Sequence, residues 1–214
     1  MSSSEAMAGL WADVRQLLLP SQCVWCQQPG SWACAPCQVR VRAVGPVAVT
    51  SGELLVTTAA TYRELAPAIL GYKERGVTAL AHFLVDRLTA AVTQQALAAA
   101  VLVPIPTTAR ARRRRGADLV AELAVAVAAE LGWQYRADLI WRGTRRQQKR
   151  LTGSDRYRNM MNAFAVRPGV SFVDETVVLI DDVLTTGATL TAAATALRSA
   201  QAGRVTGAVL AKSS

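Results

Sequence analysis

The sequence VVLIDDVLTTGAT, residues 177–189, joins an apolar stretch to two acidic residues and a turn that contains threonine and glycine. The stretch Thr176–Ile180 predicts a buried strand, and a helix is predicted to begin near Gly187. Ligands of open α/β sheets bind at the carboxyl ends of strands, where the first amides of the next helix favour an anion. The segment therefore predicts a phosphate-binding site.

Two kinds of side chain in this segment suit a phosphorylated sugar. Asp181 and Asp182 follow the predicted strand, where carboxylates can accept hydrogen bonds from a sugar diol or help to hold a hydrated Mg2+. Glycine at position 187 allows the backbone to approach a ligand closely. Hydroxyl groups that can bind phosphate occur at Thr185, Thr186 and Thr189. A capped helix beside two solvated acids is the alternative, but it explains only the threonine cap.

All four cysteines lie in one short stretch with the spacing C-x2-C-x7-C-x2-C: Cys23, Cys26, Cys34 and Cys37. Two such pairs supply four thiolates for a tetrahedral ion, which is typical of structural zinc. Two disulfides, or a redox pair, are the alternatives; nothing in the sequence indicates secretion, and redox chemistry needs only one pair. We predict a closed Zn2+ site without catalytic zinc, with Trp25 and Trp32 either covering the metal or packing against the larger domain.

The composition excludes a disordered chain, because 51% of the 214 residues are hydrophobic and only 18% are charged. The glycine motifs of a P-loop ATPase and of a dinucleotide-binding Rossmann site are absent, which argues against both kinds of site. No stretch is long and apolar enough for a membrane span, and Glu5 and Asp13 are atypical of a signal peptide. We predict a soluble, cytoplasmic protein. The net charge of +9 indicates an anionic partner.

The order of the elements predicts an α/β fold. Residues 1–45 are expected to form an N-terminal amphipathic helix and the four-cysteine knuckle, and residues 46–214 the larger domain, after a linker over Gly45–Gly52. Helices alternate with strands that are apolar on both faces, which predicts a parallel sheet flanked by helices. Strands are predicted at Leu54–Tyr62, Val101–Val103, Asp138–Trp141, Thr176–Ile180 and Arg204–Leu210. Helices are predicted at Glu64–Tyr72, Val77–Leu97, Ala117–Leu131 and Gly187–Ala200.

Several short motifs occur in an order that resembles a known family. The segment 177–189 resembles the ribose-5-phosphate signature of type I phosphoribosyltransferases, which bind phosphoribosyl pyrophosphate (PRPP). Lys73-Glu74-Arg75-Gly76, the VPIP sequence at Val103–Pro106 and Arg115-Gly116 precede it. Together with the cysteines, they make the chain resemble the ComF (GntX-like) family from Cys23 onward.

The resemblance implies binding of PRPP or a related sugar phosphate with Mg2+, and transfer of the phosphoribosyl group to an acceptor that the sequence does not identify. The ribose hydroxyls would contact Asp181 and Asp182. The 5-phosphate loop would comprise Thr185, Thr186, Gly187, Ala188 and Thr189. The pyrophosphate would meet Pro106, Thr107, Thr108 and Lys73, although a helix-surface lysine is an alternative for the last. A mobile hood would contain Arg145, Arg146, Gln148, Lys149 and Arg150.

Two departures from the family pattern bear on the acceptor. Some purine-salvage relatives carry an acidic general base three residues after the second acid, where this chain has Thr185. An aromatic residue and an amide usually follow Arg-Gly, where this chain has Ala117 and Asp118. Both departures weaken the case for a nucleobase acceptor.

The basic residues are concentrated in one part of the chain. Residues 110–158 contain 13 Lys and Arg residues and 5 Asp and Glu residues, which accounts for a net +8 of the total +9. The resemblance to ComF implies a role in natural competence, the uptake of DNA. The alternatives to an enzyme are a non-catalytic PRPP- or nucleotide-binding module and an accessory protein that handles single-stranded DNA with a helicase. The sequence does not indicate an oligomeric state.

Overall fold

The structure is a computed structural model that describes residues 21–107, 118–142 and 163–213. Five helices and eight strands lie within these ranges. The helices are α1 (Ala35–Arg42), α2 (Tyr62–Arg75), α3 (Ala81–Thr93), α4 (Leu119–Leu131) and α5 (Ala188–Ser199). The strands are β1 (Val47–Ser51), β2 (Leu54–Thr61), β3 (Val101–Pro104), β4 (Gln134–Tyr135), β5 (Leu139–Trp141), β6 (Phe164–Val166), β7 (Thr176–Leu184) and β8 (Arg204–Lys212).

Six of these strands form one sheet in the order β1-β2-β8-β7-β3-β4. Every neighbouring pair in it is parallel except β1 with β2. Strands β5 and β6 form a separate antiparallel pair. The predicted fold class, a parallel sheet flanked by helices and preceded by a four-cysteine module, is confirmed.

Helices cover both faces of the sheet and divide the core in two. Helices α2, α3 and α4 pack on one face together with Val178 and Ile180 of β7. Helix α5 packs on the other face together with Val177 and Leu179. The alternation of side chains along β7 produces this division, and it explains why the strand is apolar at every one of these positions.

The prediction of a linker over Gly45–Gly52 is wrong, because most of this segment forms strand β1. This strand pairs with β2 from Val47 opposite Thr58 to Ser51 opposite Leu54. The two glycines bracket the strand and both have positive φ, 68° and 59°. They therefore mark the turns at its ends rather than a flexible connection.

The four-cysteine module packs against α2 and α3. Trp25 Nε1 donates a hydrogen bond of 2.7 Å to the backbone oxygen of Glu64. The indole ring meets Phe83 edge to face, with 5.3 Å between ring centroids. Trp25 therefore follows the second predicted alternative, packing against the larger domain, while Trp32 is 36% exposed.

The largest differences from the predicted boundaries occur in β7 and α3. Strand β7 continues to Leu184 instead of ending at Ile180, because its pairing with β8 extends to Lys212. The long helix predicted at Val77–Leu97 is the shorter α3, preceded by a 3-10 turn at Thr78–Leu80. The predicted helix near the N-terminus lies outside the described residues. Among the helices that the structure describes, none has the length and apolar character needed to cross a membrane.

Candidate functional site

The candidate site lies where β3 and β7 end side by side. Pro104 pairs with Ile180 in the parallel register, and the Ile105 N–H donates a 2.8 Å hydrogen bond to the Ile180 carbonyl oxygen. The chain after β3 therefore leaves the sheet beside Asp181. This adjacency, which only the strand order creates, brings two distant motifs to the same edge of the sheet.

A cavity of about 230 Å3 opens at this edge. Its lining comprises Lys73, Ile105, Pro106, Thr107, Val120, Trp141, Phe164, Asp181, Asp182 and Thr189. The structure thus gathers both predicted acids, two residues of the predicted pyrophosphate loop, one threonine of the predicted 5-phosphate loop and Lys73. The remaining pyrophosphate-loop residue, Thr108, and the predicted hood residues Arg145, Arg146, Gln148, Lys149 and Arg150 lie outside the described residues.

Lys73 and Asp182 form an ion pair between Nζ and Oδ2. Asp182 lies on the same face of β7 as Ile180, and this is the face that α2 covers. Lys73 is near the C-terminal end of α2, and its side chain is 24% exposed against 13% for Asp182. The lysine is therefore a cavity residue rather than a solvated residue of the helix surface.

Asp181 has an unusual electrostatic environment. Burial, and next the adjacent Asp182 carboxylate, raise the pKa of Asp181 to about 8. The Asp182 N–H donates a 2.8 Å hydrogen bond to Asp181 Oδ1, which acts in the opposite direction. A carboxyl group that resists ionisation beside a second carboxylate favours a cation or several hydroxyl donors at this position.

The predicted 5-phosphate loop connects β7 to α5. Gly187 is the N-cap of α5, has a φ of 75° and provides no side-chain cap. A methyl group on Gly187 would overlap the Ser51 hydroxyl and lie 2.8 Å from Ser51 Cβ. The Thr186 hydroxyl accepts a 3.4 Å hydrogen bond from the Ala188 N–H. Thr185 and Thr186 are exposed, and Thr189 is the loop residue that lines the cavity.

The chain after β3 is tied to the start of α4. Thr107 Oγ1 donates a 2.8 Å hydrogen bond to Asp118 Oδ1. The same carboxylate oxygen accepts from the Ala121 N–H at 3.4 Å and so caps α4. This cap gives a structural role to the acid that replaces the usual amide at position 118.

Two aromatic residues form a cavity wall that the sequence did not predict. Trp141 and Phe164 come from β5 and β6, and their rings meet edge to face with centroids 5.0 Å apart. The sequence predicts Trp141 as the end of a strand, but it does not place this residue at a cavity. Strand β6 is three residues long, which is too short for a periodic pattern that could predict it.

The four cysteines form a second candidate site. Their sulfur atoms all lie within 4.8 Å of one another, and the cysteines are free thiols rather than disulfides. Burial and the neighbouring cysteine side chains raise the pKa of Cys37 to about 12, because another negative charge in the cluster is unfavourable without a cation. The cysteines are therefore positioned to bind a metal, and a set of soft sulfur ligands suits zinc.

Comparison with known proteins identifies the larger domain. No curated protein matches the chain. Residues 67–214 match the family model described as the phosphoribosyl transferase domain. The match covers more than half of the chain and includes Lys73, both acids, the loop before α5 and most of the parallel sheet. The chain therefore belongs to the phosphoribosyl transferase domain family.

Proposed function

We propose that this protein binds PRPP together with Mg2+ in the cavity between β3, β7 and α2, and transfers the phosphoribosyl group to an acceptor nucleophile. The observation that supports this proposal most strongly is the convergence of Lys73, Thr107 and the acid pair on one cavity at the start of α5. A cation, a hydroxyl group, carboxylates and helix amides are the groups that PRPP requires.

We assign a set of side chains to each part of the ligand. Asp181 and Asp182 contact the ribose hydroxyls, and the same carboxylates offer oxygen ligands that suit a hydrated Mg2+. Thr185, Thr186, Gly187, Ala188 and Thr189 bind the 5-phosphate through amides and hydroxyls. Pro106, Thr107 and Lys73, which line the cavity, bind the pyrophosphate. When bound, Mg2+ neutralises charge that develops as pyrophosphate departs. Trp141 and Phe164 exclude water from the reacting carbon.

The proposal is tested by binding and turnover. Calorimetry with PRPP and Mg2+ should show binding by the wild type and a loss of affinity of at least about tenfold in Asp181→Asn/Asp182→Asn, because both carboxyl contacts are removed. Asp174→Asn is the matched control, since Asp174 is an exposed aspartate away from the cavity. Equal affinity in the wild type and the double variant would contradict the proposal.

Transfer is tested by release of pyrophosphate with a panel of amine, nucleobase and phenolic acceptors. Release that depends on the acceptor and on the acid pair supports a transferase. Binding of PRPP without release for any acceptor favours the alternative of a PRPP- or nucleotide-binding module. Position 185 carries no acid that could act as a general base, so the class of acceptor that supports release is the most informative result of this assay.

We propose that the cysteine cluster holds a structural Zn2+. Four sulfur atoms within 4.8 Å of one another leave no protein position open for a substrate. Elemental analysis of the purified protein should find about one zinc per chain, as expected for a four-thiolate site. Cys26→Ser should lower the zinc content and the melting temperature together, and full zinc occupancy in that variant would contradict the assignment.

The cysteine cluster upstream of this domain supports placing the protein in the ComF family, with a role in natural competence. Deletion of the gene in a competent host should then reduce transformation, and Asp181→Asn/Asp182→Asn should fail to restore it.

The single-stranded-DNA and helicase alternatives depend on basic residues outside the described ranges, so they stay predictions. The same holds for the cytoplasmic location and for the domain boundary at residues 45 and 46.

A further inference from the structure

The ion pair between Lys73 and Asp182 places an ammonium group against a carboxylate to which the proposed function, on which this inference rests, assigns a role in holding Mg2+. We propose that Lys73 acts as the resident counter-ion of the acid pair, and that a divalent cation reaches Asp182 only when an anionic ligand draws Lys73 away. This inference adds an order of events to the proposed function. It concerns competition between two cations for one carboxylate, and that competition can be measured without PRPP.

The burial of the pair makes the competition strong. Lys73 Nζ contacts Asp182 Oδ2, and both side chains are mostly removed from solvent. Charges in such a position attract each other more strongly than exposed charges do, because water screens them less. A metal ion that approached Asp182 would have to displace the ammonium and leave it without its partner in a confined space, which is costly.

The cavity also holds the predicted pyrophosphate loop. Pro106 and Thr107 line the same cavity as Lys73, so an anion bound beside them would share that cavity with the lysine side chain. The backbone of α2 is held in place at its end, where Gly76 adopts a left-handed conformation and ends the helix. The Tyr72 hydroxyl donates a 2.5 Å hydrogen bond to Glu122 on α4, which fixes the residue before the lysine.

An incoming diphosphate changes the charges around Lys73. Phosphate oxygens beside Pro106 and Thr107 offer the ammonium a stronger set of charged acceptors than one carboxylate does. Once Lys73 turns to them, both Asp182 oxygens are open to the cation that accompanies the ligand. Metal and ligand therefore bind together, and the protein does not bind the metal tightly by itself.

The experiment uses Mn2+ as the probe and the full-length protein. Mn2+ affinity is measured by electron paramagnetic resonance for the wild type and Lys73→Met, first without any ligand. We expect Lys73→Met to bind Mn2+ at least about tenfold more tightly, because no ammonium group then competes with Mn2+ for Asp182. Adding Asp182→Asn to Lys73→Met should abolish the gain, and Lys73→Arg should behave like the wild type.

Lys212→Met is the matched control, because it removes the same charge from an exposed position at the end of β8. It should leave Mn2+ affinity unchanged. If Lys73→Met lowers the melting temperature, Lys73→Gln provides the same measurement with a polar side chain at this position. Unchanged Mn2+ affinity in a folded Lys73 variant would overturn the inference.

A second measurement separates this inference from the proposed function. Adding PRPP should raise the Mn2+ affinity of the wild type far more than that of Lys73→Met. If PRPP has no effect on either protein but Lys73→Met still binds Mn2+ more tightly, the counter-ion role holds and the proposed substrate is wrong. If PRPP binds to both proteins and their Mn2+ affinities agree throughout, the counter-ion role is wrong and the proposed function stands.

Discussion

Replacing Gly187 with alanine tests whether the start of α5 requires a residue without a side chain. Two separate costs are expected. The φ of 75° belongs to the left-handed region, where a residue with Cβ loses about 1–2 kcal/mol relative to glycine. The new methyl group would also overlap the Ser51 hydroxyl at the β1–β2 turn. Forcing extra volume into such a contact costs about 1–3 kcal/mol more.

The chain contains a control for the first cost alone. Gly132 follows α4 with a φ of 66°, and a methyl group built there would have no atom within 4 Å. Gly132→Ala should therefore lose only the conformational part, about 1–2 kcal/mol of unfolding free energy. Gly187→Ala should lose about 2–5 kcal/mol, the two costs combined.

The assay is equilibrium urea unfolding of both variants, with Ser51→Gly added to Gly187→Ala. The serine change should return the part of the loss that the overlap causes and leave the conformational part. Equal losses in Gly187→Ala and Gly132→Ala, with no recovery on changing Ser51, would refute the reasoning. If the proposed function is correct, Gly187→Ala should also weaken PRPP binding, because the amides at the start of α5 shift with the turn.

Three further perturbations follow from the described contacts. The pKa of Asp181 is raised in the folded protein, so this residue contributes fully to the free energy of unfolding below about pH 4. The contribution is lost as the pH rises through about 8. Asp181→Asn should therefore flatten the decline in urea midpoint between these pH values, and an unchanged slope would count against the buried environment. Trp25→Phe should cost about 1 kcal/mol in urea unfolding by removing the hydrogen bond to the Glu64 oxygen, whereas no loss would show that the bond is unimportant. Arg136→Lys should cost about 1–2 kcal/mol by removing forked hydrogen bonds and the stacking over Phe172 at 3.9 Å; melting curves that superimpose on the wild type would contradict this.

The features predicted from the sequence are those whose signal is local. The four cysteines are close in sequence, so their spacing alone predicts a common centre. The segment 177–189 contains a strand, two acids and a helix start in succession, so its position at the end of a parallel strand follows directly. The fold class follows from strands that are apolar on both faces, since only a sheet covered on both sides requires them.

The features that could not be predicted depend on contacts between distant segments. Nothing near Lys73 in the sequence indicates that α2 packs on the face of β7 that carries Asp182. The hydrogen bond between Thr107 and Asp118 likewise depends on how the chain returns to α4. The glycines that flank β1 are typical of loops and therefore predict a linker, whereas pairing with β2 gives this segment its strand conformation.

The packing of the cysteine module also has a consequence for how the protein could be divided. The family match begins at residue 67, within α2. However, the Val24 side chain of the cysteine module lies only 3.3 Å from the position that a Cβ atom on Gly71 would occupy. A chain shortened to the matched part would lose β1, β2 and the first turn of α2. It would also uncover Phe83, which is now only 4% exposed beneath Trp25. We therefore expect the smallest unit able to fold by itself to be larger than the matched domain and to include the four-cysteine module.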